Sequence, residues 1–166
     1  MLGRKSRAGS LETVTQGTFV RELLPHISSD PPRDFAAARA DKPVSPDSEC
    51  VFNSYFVANR DEVIVRILSN VFGAQKDTWP AEWVDPTVSI LTKSTGFMGT
   101  MWALKKLVAA GHRHKALTRS FFADVFARVA ERMARERIGL TGVDFPSSSQ
   151  GIGQLRDLFG EVADTA

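Results

Sequence analysis

Little in this chain invites covalent chemistry. Cysteine and tyrosine occur once each, the cysteine being Cys50. A lone thiol closes no internal disulfide, a usage that fits a reducing compartment, so a cytoplasmic location is expected. Cys50 precedes Val51 and Phe52 and has no histidine close in sequence, which describes a packed thiol better than an activated nucleophile. A Gly-x-Ser-x-Gly elbow is missing, and no carboxylate pair stands out from ordinary helical surface charge. No apolar run is long enough to span a bilayer, and no membrane association is expected. The opening MLGRKSRAGS is basic but leads into no apolar segment, so no secretory leader is expected either. His112 and His114, in GHRHK, lack neighbouring cysteines or carboxylates at ligand spacing, and the expectation is no metal and no cofactor.

What is present is the composition of an ordinary globular domain, 43% hydrophobic and 24% charged, in a chain of one-domain length. The organisation predicted is a flexible stretch over residues 1–10 and a single helical domain over 11–166. Helical stripes recur along it. Phe19, Val20, Leu23, Leu24 and Ile27 form the first, with Thr15 or Thr18 as cap and Pro25 as its end or kink. Val63, Ile67 and Val71 form the next, flanked by Ile64, Leu68 and Phe72 and closed by Gly73. Phe97, Met101, Leu104 and Val108 follow, ended by Gly111. Phe122, Val125, Phe126, Val129 and Met133 make a long stripe capped at Thr118 or Ser120 and stopped by Gly139 and Gly142. Ile152, Leu155, Phe159 and Val162 complete the set from a start near Ser149. Residues 28–49 hold four of the eight prolines and read as a long surface loop, with one turn of helix over 34–40. Residues 86–91, PTVSIL, alternate briefly and read as at most a short strand. The fold class predicted is therefore mainly α: a compact bundle of about five helices with one Pro-rich loop.

The net charge of +2 hides an asymmetry. Residues 104–137 hold nine of the 21 basic residues but only three of the 19 acidic ones. Within them Asp124, Arg128, Glu131 and Arg135 alternate in sign at helical spacing and answer one another. Lys105, Lys106, Arg113, Lys115 and Arg119 bracket one interhelical turn and look less compensated, so they are the candidate phosphate contacts of a nucleic-acid-binding surface. Arg132 and Arg137 are weaker candidates. No zinc-finger or RRM signature accompanies them.

The stretch ILTKSTGFMGTMWALKK, residues 90–106, raises a different question. A phosphate-binding loop needs its glycines ahead of the lysine, so that backbone amides wrap the phosphates. Here Lys93, Ser94, Thr95 and Gly96 run in the opposite order, with no glycine before Lys93. What this order supports is a helix start capped by Thr95, with Lys93, Thr95 and Gly96 as a generic anion site.

Several segments together resemble the C-terminal part of the DGQHR-domain family: VTQGTFVRELLPHI, FNSYFVANRDEV followed by a tryptophan, ILTKSTGFMGTMWAL and LTRSFFADVF. The resemblance runs over residues 11–126. It implies a bacterial DNA-modification or defence setting, the family including a repressor linked to DNA phosphorothioation. The naming motif Asp-Gly-Gln-His-Arg is absent, so none of its residues carries over, and the resemblance implies a truncated member or a detached helical tail. The first functional expectation is thus an accessory nucleic-acid-binding or regulatory module. A helical protein-interaction module, using Phe52–Phe56 or Trp79 and Trp83, is the alternative. A phosphate-ligand enzyme at Thr95 and Gly96 comes third.

Overall fold

The computed structural model describes residues 14–85 and 87–166. The predicted flexible N-terminus, residues 1–10, lies outside them. Among the described residues eight helices follow in order: α1 (Gln16–Ile27), α2 (Pro31–Arg39), α3 (Asn53–Val57), α4 (Asp61–Thr78), α5 (Pro80–Val84), α6 (Ser94–Arg113), α7 (Arg119–Glu136) and α8 (Ser149–Asp164). The fold is mainly α, and no strand occurs among the described residues. Residues 87–91 run as turns and bends instead of a strand. The five predicted stripes correspond to α1, α4, α6, α7 and α8. The additional helices are short ones, of nine residues in α2 and five each in α3 and α5.

Capping side chains explain four of the eight starts among the described residues. Thr15, Thr18's rival for the first cap, accepts the Thr18 amide, Thr118 accepts that of Phe121, and Ser148 accepts that of Gly151. The Pro-rich loop turned out to hold more helix than expected because Asp30 caps it and Pro31 occupies the first helical position, where its missing amide costs nothing.

The predicted stops were less accurate. Gly73 lies inside α4, which continues to Thr78 because Ala74 and Gln75 are themselves buried. Gly111 lies inside α6; the reversal after it is made by Lys115, left-handed at φ 52°, as the Ala116 amide returns to the Gly111 carbonyl. Neither Gly139 nor Gly142 ends α7. Arg137 takes the left-handed position at φ 57°, and the Ile138 amide reaches back to the Met133 carbonyl at 2.9 Å. Pro25 neither ends α1 nor stands at its last residue, since the helix runs on to Ile27.

The core is built from two helix pairs, α6 with α8 and α4 with α7. The partners α6 and α8 run in the same direction, because Gly99, Lys106 and Arg113 meet Leu155, Gly160 and Ala163 in turn. Glycine makes their close approach feasible: a Cβ on Gly99 would stand 2.6 Å from Leu155, and one on Gly160 2.6 Å from the Lys106 stem. Trp79, Phe126 and Phe159, with ring centroids 5.4–6.2 Å apart, join α7 and α8 to the end of α4. The apolar stripes predicted for α6, α7 and α8 are buried throughout. The α1 stripe is not: it contributes no buried residue, and Phe19, Val20 and Leu24 stay exposed.

Candidate functional site

The charges of the basic turn predicted from sequence are largely answered within the molecule. Lys105 Nζ donates to Glu49 at 2.8 Å, and Lys106 Nζ donates to Asp164 at 2.9 Å. Arg119 grips Asp77 with two hydrogen bonds of 2.6 and 2.5 Å, which hold the Asp77 carboxyl below its ordinary range. Arg113 donates to the Ala163 carbonyl near the end of α8, at 3.0 Å. Lys115, on the reversal itself, is exposed. The expectation that this cluster is less compensated than the α7 ladder is therefore reversed. The partners come from residues 49, 77 and 164, far away in sequence, which is why local charge counting missed them. On α7 the observed pairing is Arg132 with Glu136 and with Glu161 of α8, at 2.9 and 2.8 Å. No ion pair joins Asp124, Arg128, Glu131 and Arg135 among the described residues, although their helical spacing is as predicted.

The helix start at residues 93–96 also differs in detail. Lys93, not Thr95, is the N-cap residue, with extended backbone and no side-chain cap bond. Thr95 is buried at 2% exposure, and its hydroxyl lies 3.3 Å from that of Ser147. The Gly96 amide donates to the Ile90 carbonyl at 3.2 Å, and the Phe97 amide to that of Lys93 at 3.0 Å. A phosphate reaching the Gly96 or Phe97 amide would have to displace these bonds. Gly96 serves packing here: a Cβ would lie 2.3 Å from the Ile90 oxygen and 2.6 Å from Leu91 Cα.

Of the aromatic residues named for a protein interface, Phe52 and Trp79 are core, at 0% and 7% exposure, whereas Phe56 is exposed and Trp83 half-buried against the core. Trp83 forms one wall of an apolar groove of about 470 Å³ with Phe19, Phe72, Leu91 and Phe97. Phe19 and Phe72 both approach Phe97, at 6.0 and 5.7 Å between centroids. Thr92 also lines it, and its hydroxyl is buried without a hydrogen-bond partner. Beside the groove, α1 is fastened to α6 by the Trp102 indole, which donates to Glu22 at 2.9 Å. The sequence carried a partial signal for this groove in Trp83 and in the α1 stripe. Leu91 and Thr92 gave none, because they belong to an irregular turn.

A second concavity, about 670 Å³, lies between the loop at residues 47–51 and α6. Asp47 and Glu49 line it from the loop, and Lys105, His112 and Arg113 from α6. Asp47 is the organiser of that loop: it accepts from the Ser29 and Glu49 amides and from the Cys50 thiol, while its own amide donates to Asn53. The Ser29 side chain foremost, then the Glu49 amide, the Cys50 thiol and the Ser29 amide, pull its carboxyl down to about 2. Burial and the Asp47 carboxylate push the Cys50 thiol up to about 11, the opposite of an activated nucleophile. His112 stacks on Tyr55 at 6.4 Å, whereas His114 lies 2.8 Å from the Ala166 backbone oxygen, so the two histidines serve different neighbours. Among the described residues no three His, Cys, Asp or Glu gather as a metal site, and no helix is long and apolar enough to cross a membrane.

No family model, curated protein or solved structure matches this chain.

Proposed function

We propose that this chain is a helical protein-interaction module that receives apolar side chains of a partner in the Trp83 groove. The observation that carries this reading is the groove itself: Phe19, Phe72, Trp83, Leu91 and Phe97 line about 470 Å³ of mainly apolar space. Burying a large apolar side chain is worth about 1.5–3 kcal/mol. The exposed Val20 and Leu24 on α1 extend the apolar surface beyond the groove walls.

Polyanion binding is the less favoured reading, because four of the five residues proposed for it already hold acidic or carbonyl partners. Exposed pairs of this kind are weak, so phosphate can displace them, but each displaced carboxylate then stands beside the phosphate. The setting we propose for the module, an accessory part of a DNA-modification or defence system, rests only on the sequence resemblance to the tail of DGQHR-domain proteins.

The test uses a photo-crosslinking residue at Val20 or Trp83 in the producing cell, with Val143, an exposed position, as control. A discrete protein adduct is expected at the first two positions, absent at the third, and abolished by Phe19→Asp in a chain that retains its helical circular dichroism. An adduct insensitive to Phe19→Asp, or none, overturns the groove reading. Duplex DNA supplied at low salt should give no saturable anisotropy change. A change that falls steeply with salt, and less steeply after Lys105→Ala with Lys106→Ala, would reinstate the nucleic-acid reading.

A further inference from the structure

We propose that the cleft between residues 47–51 and α6 binds a small zwitterion of the amino-acid type, one bearing an ammonium, a carboxylate and an apolar side chain. The cleft sorts its charges by wall. Asp47 and Glu49 stand on the loop, Lys105 and Arg113 on the helix, and Val51 and Ala109 supply apolar lining. Its formal charge is balanced, so a simple anion meets repulsion from one wall and a simple amine from the other. A ligand carrying both groups meets attraction from both.

The loop wall is held in shape before any ligand arrives, through the Asp47 bonds to Ser29 and Glu49 and its amide's bond to Asn53. The helix wall is likewise braced, Arg113 by the Ala163 carbonyl and the His112 ring by Tyr55, over which Arg60 also lies at 5.9 Å. One contact joins the two walls directly: Lys105 to Glu49, whose side chains are 56% and 81% exposed. A pair so exposed is worth little, and a zwitterion replaces it with two, the ammonium going to Glu49 and the carboxylate to Lys105. The volume, about 670 Å³, is in the range of small-molecule sites.

The cleft shares no lining residue with the Trp83 groove, so its test stands apart from that of the proposed function. The full chain, isotope-labelled, is titrated with L-leucine, with 3-methylbutylamine, which lacks the carboxylate, and with 4-methylpentanoate, which lacks the ammonium. Leucine is expected to give saturable amide shifts confined to residues 47–55 and 105–113, and each half-ligand to bind at least about tenfold more weakly. Glu49→Gln and Lys105→Gln should each weaken leucine binding by about tenfold, while Arg128→Ala on α7 leaves it unchanged. These side chains are exposed, so loss of folding does not confound the result. No saturable shift at millimolar leucine overturns the proposal. So does a half-ligand, or inorganic phosphate, binding as tightly as leucine.

Discussion

Replacing Gly96 by alanine tests whether the start of α6 is a packing device. In most helices this exchange stabilises by about 0.5–1 kcal/mol, because glycine loses more backbone freedom on folding. Here the new methyl would lie 2.3 Å from the Ile90 oxygen, 2.6 Å from Leu91 Cα and 2.7 Å from the Leu91 oxygen. All three atoms are backbone, so no side-chain rotation relieves the overlap. The turn at residues 90–91 must move, taking with it Ile90 and Leu91, which are 2% and 3% exposed. Overpacking of this kind costs about 1–3 kcal/mol, and with a backbone obstacle the upper end applies, for a net loss of about 2 kcal/mol. For a domain of this size the melting temperature should fall by about 4–8 °C. The internal control is Gly153→Ala in α8, where an added Cβ meets nothing within 4 Å and a gain of about 0.5–1 kcal/mol is expected. Urea denaturation followed by helical circular dichroism measures both. A Gly96→Ala protein as stable as Gly153→Ala would refute the packing account and return Gly96 to the role of an amide donor for an anion.

Two further outcomes follow from the ordered loop. Asp47 titrates near 2, below its unfolded value, so it contributes stability that is present above about pH 4 and lost as pH falls toward 2. Asp47→Asn should therefore lose less stability than the parent between pH 5 and pH 2 in urea titrations, and an identical loss would exclude Asp47 as the organiser. Cys50, buried and pushed up to about 11, should react with a disulfide reagent at pH 8 far more slowly than an unfolded control, and Asp47→Asn should speed it up. An unchanged rate in that variant would mean that burial alone protects the thiol.

Periodic features were legible in the sequence, and contacts between distant residues were not. The stripes from Phe97 to Val108 and from Phe122 to Met133 bury as their spacing predicts, because a period near 3.6 specifies both helix and inward face. The caps at Thr15 and Thr118 were each one of two candidates readable for the same local reason, and for α8 the start near Ser149 was readable but not its cap, Ser148. Helix ends were not, because Lys115 and Arg137 adopt the left-handed conformation usually reserved for glycine. Burial of the α1 stripe failed because amphipathicity says which side faces inward, not how deeply the element sinks. The same limit governed the candidate site. Lys105 and Arg119 read as free cations from their neighbours in sequence, and only the fold supplies Glu49 and Asp77. Glu49 and Cys50 come from one stretch and Lys105 and His112 from another far along the chain, and nothing local connects the two to one cleft.

The pairing of α6 with α8 bears on how the protein is made. Met101, Leu104, Leu107 and Val108 are wholly buried, and Gly99 sits directly against Leu155 of the last helix. Contacts so widely separated along the chain form slowly, since a long loop must close before they are rewarded. During synthesis the helix at the centre of the core waits for a partner that the ribosome delivers only after α7. In that interval its apolar face is a client surface for chaperones, and the same face is where a release before residue 149 would begin to aggregate.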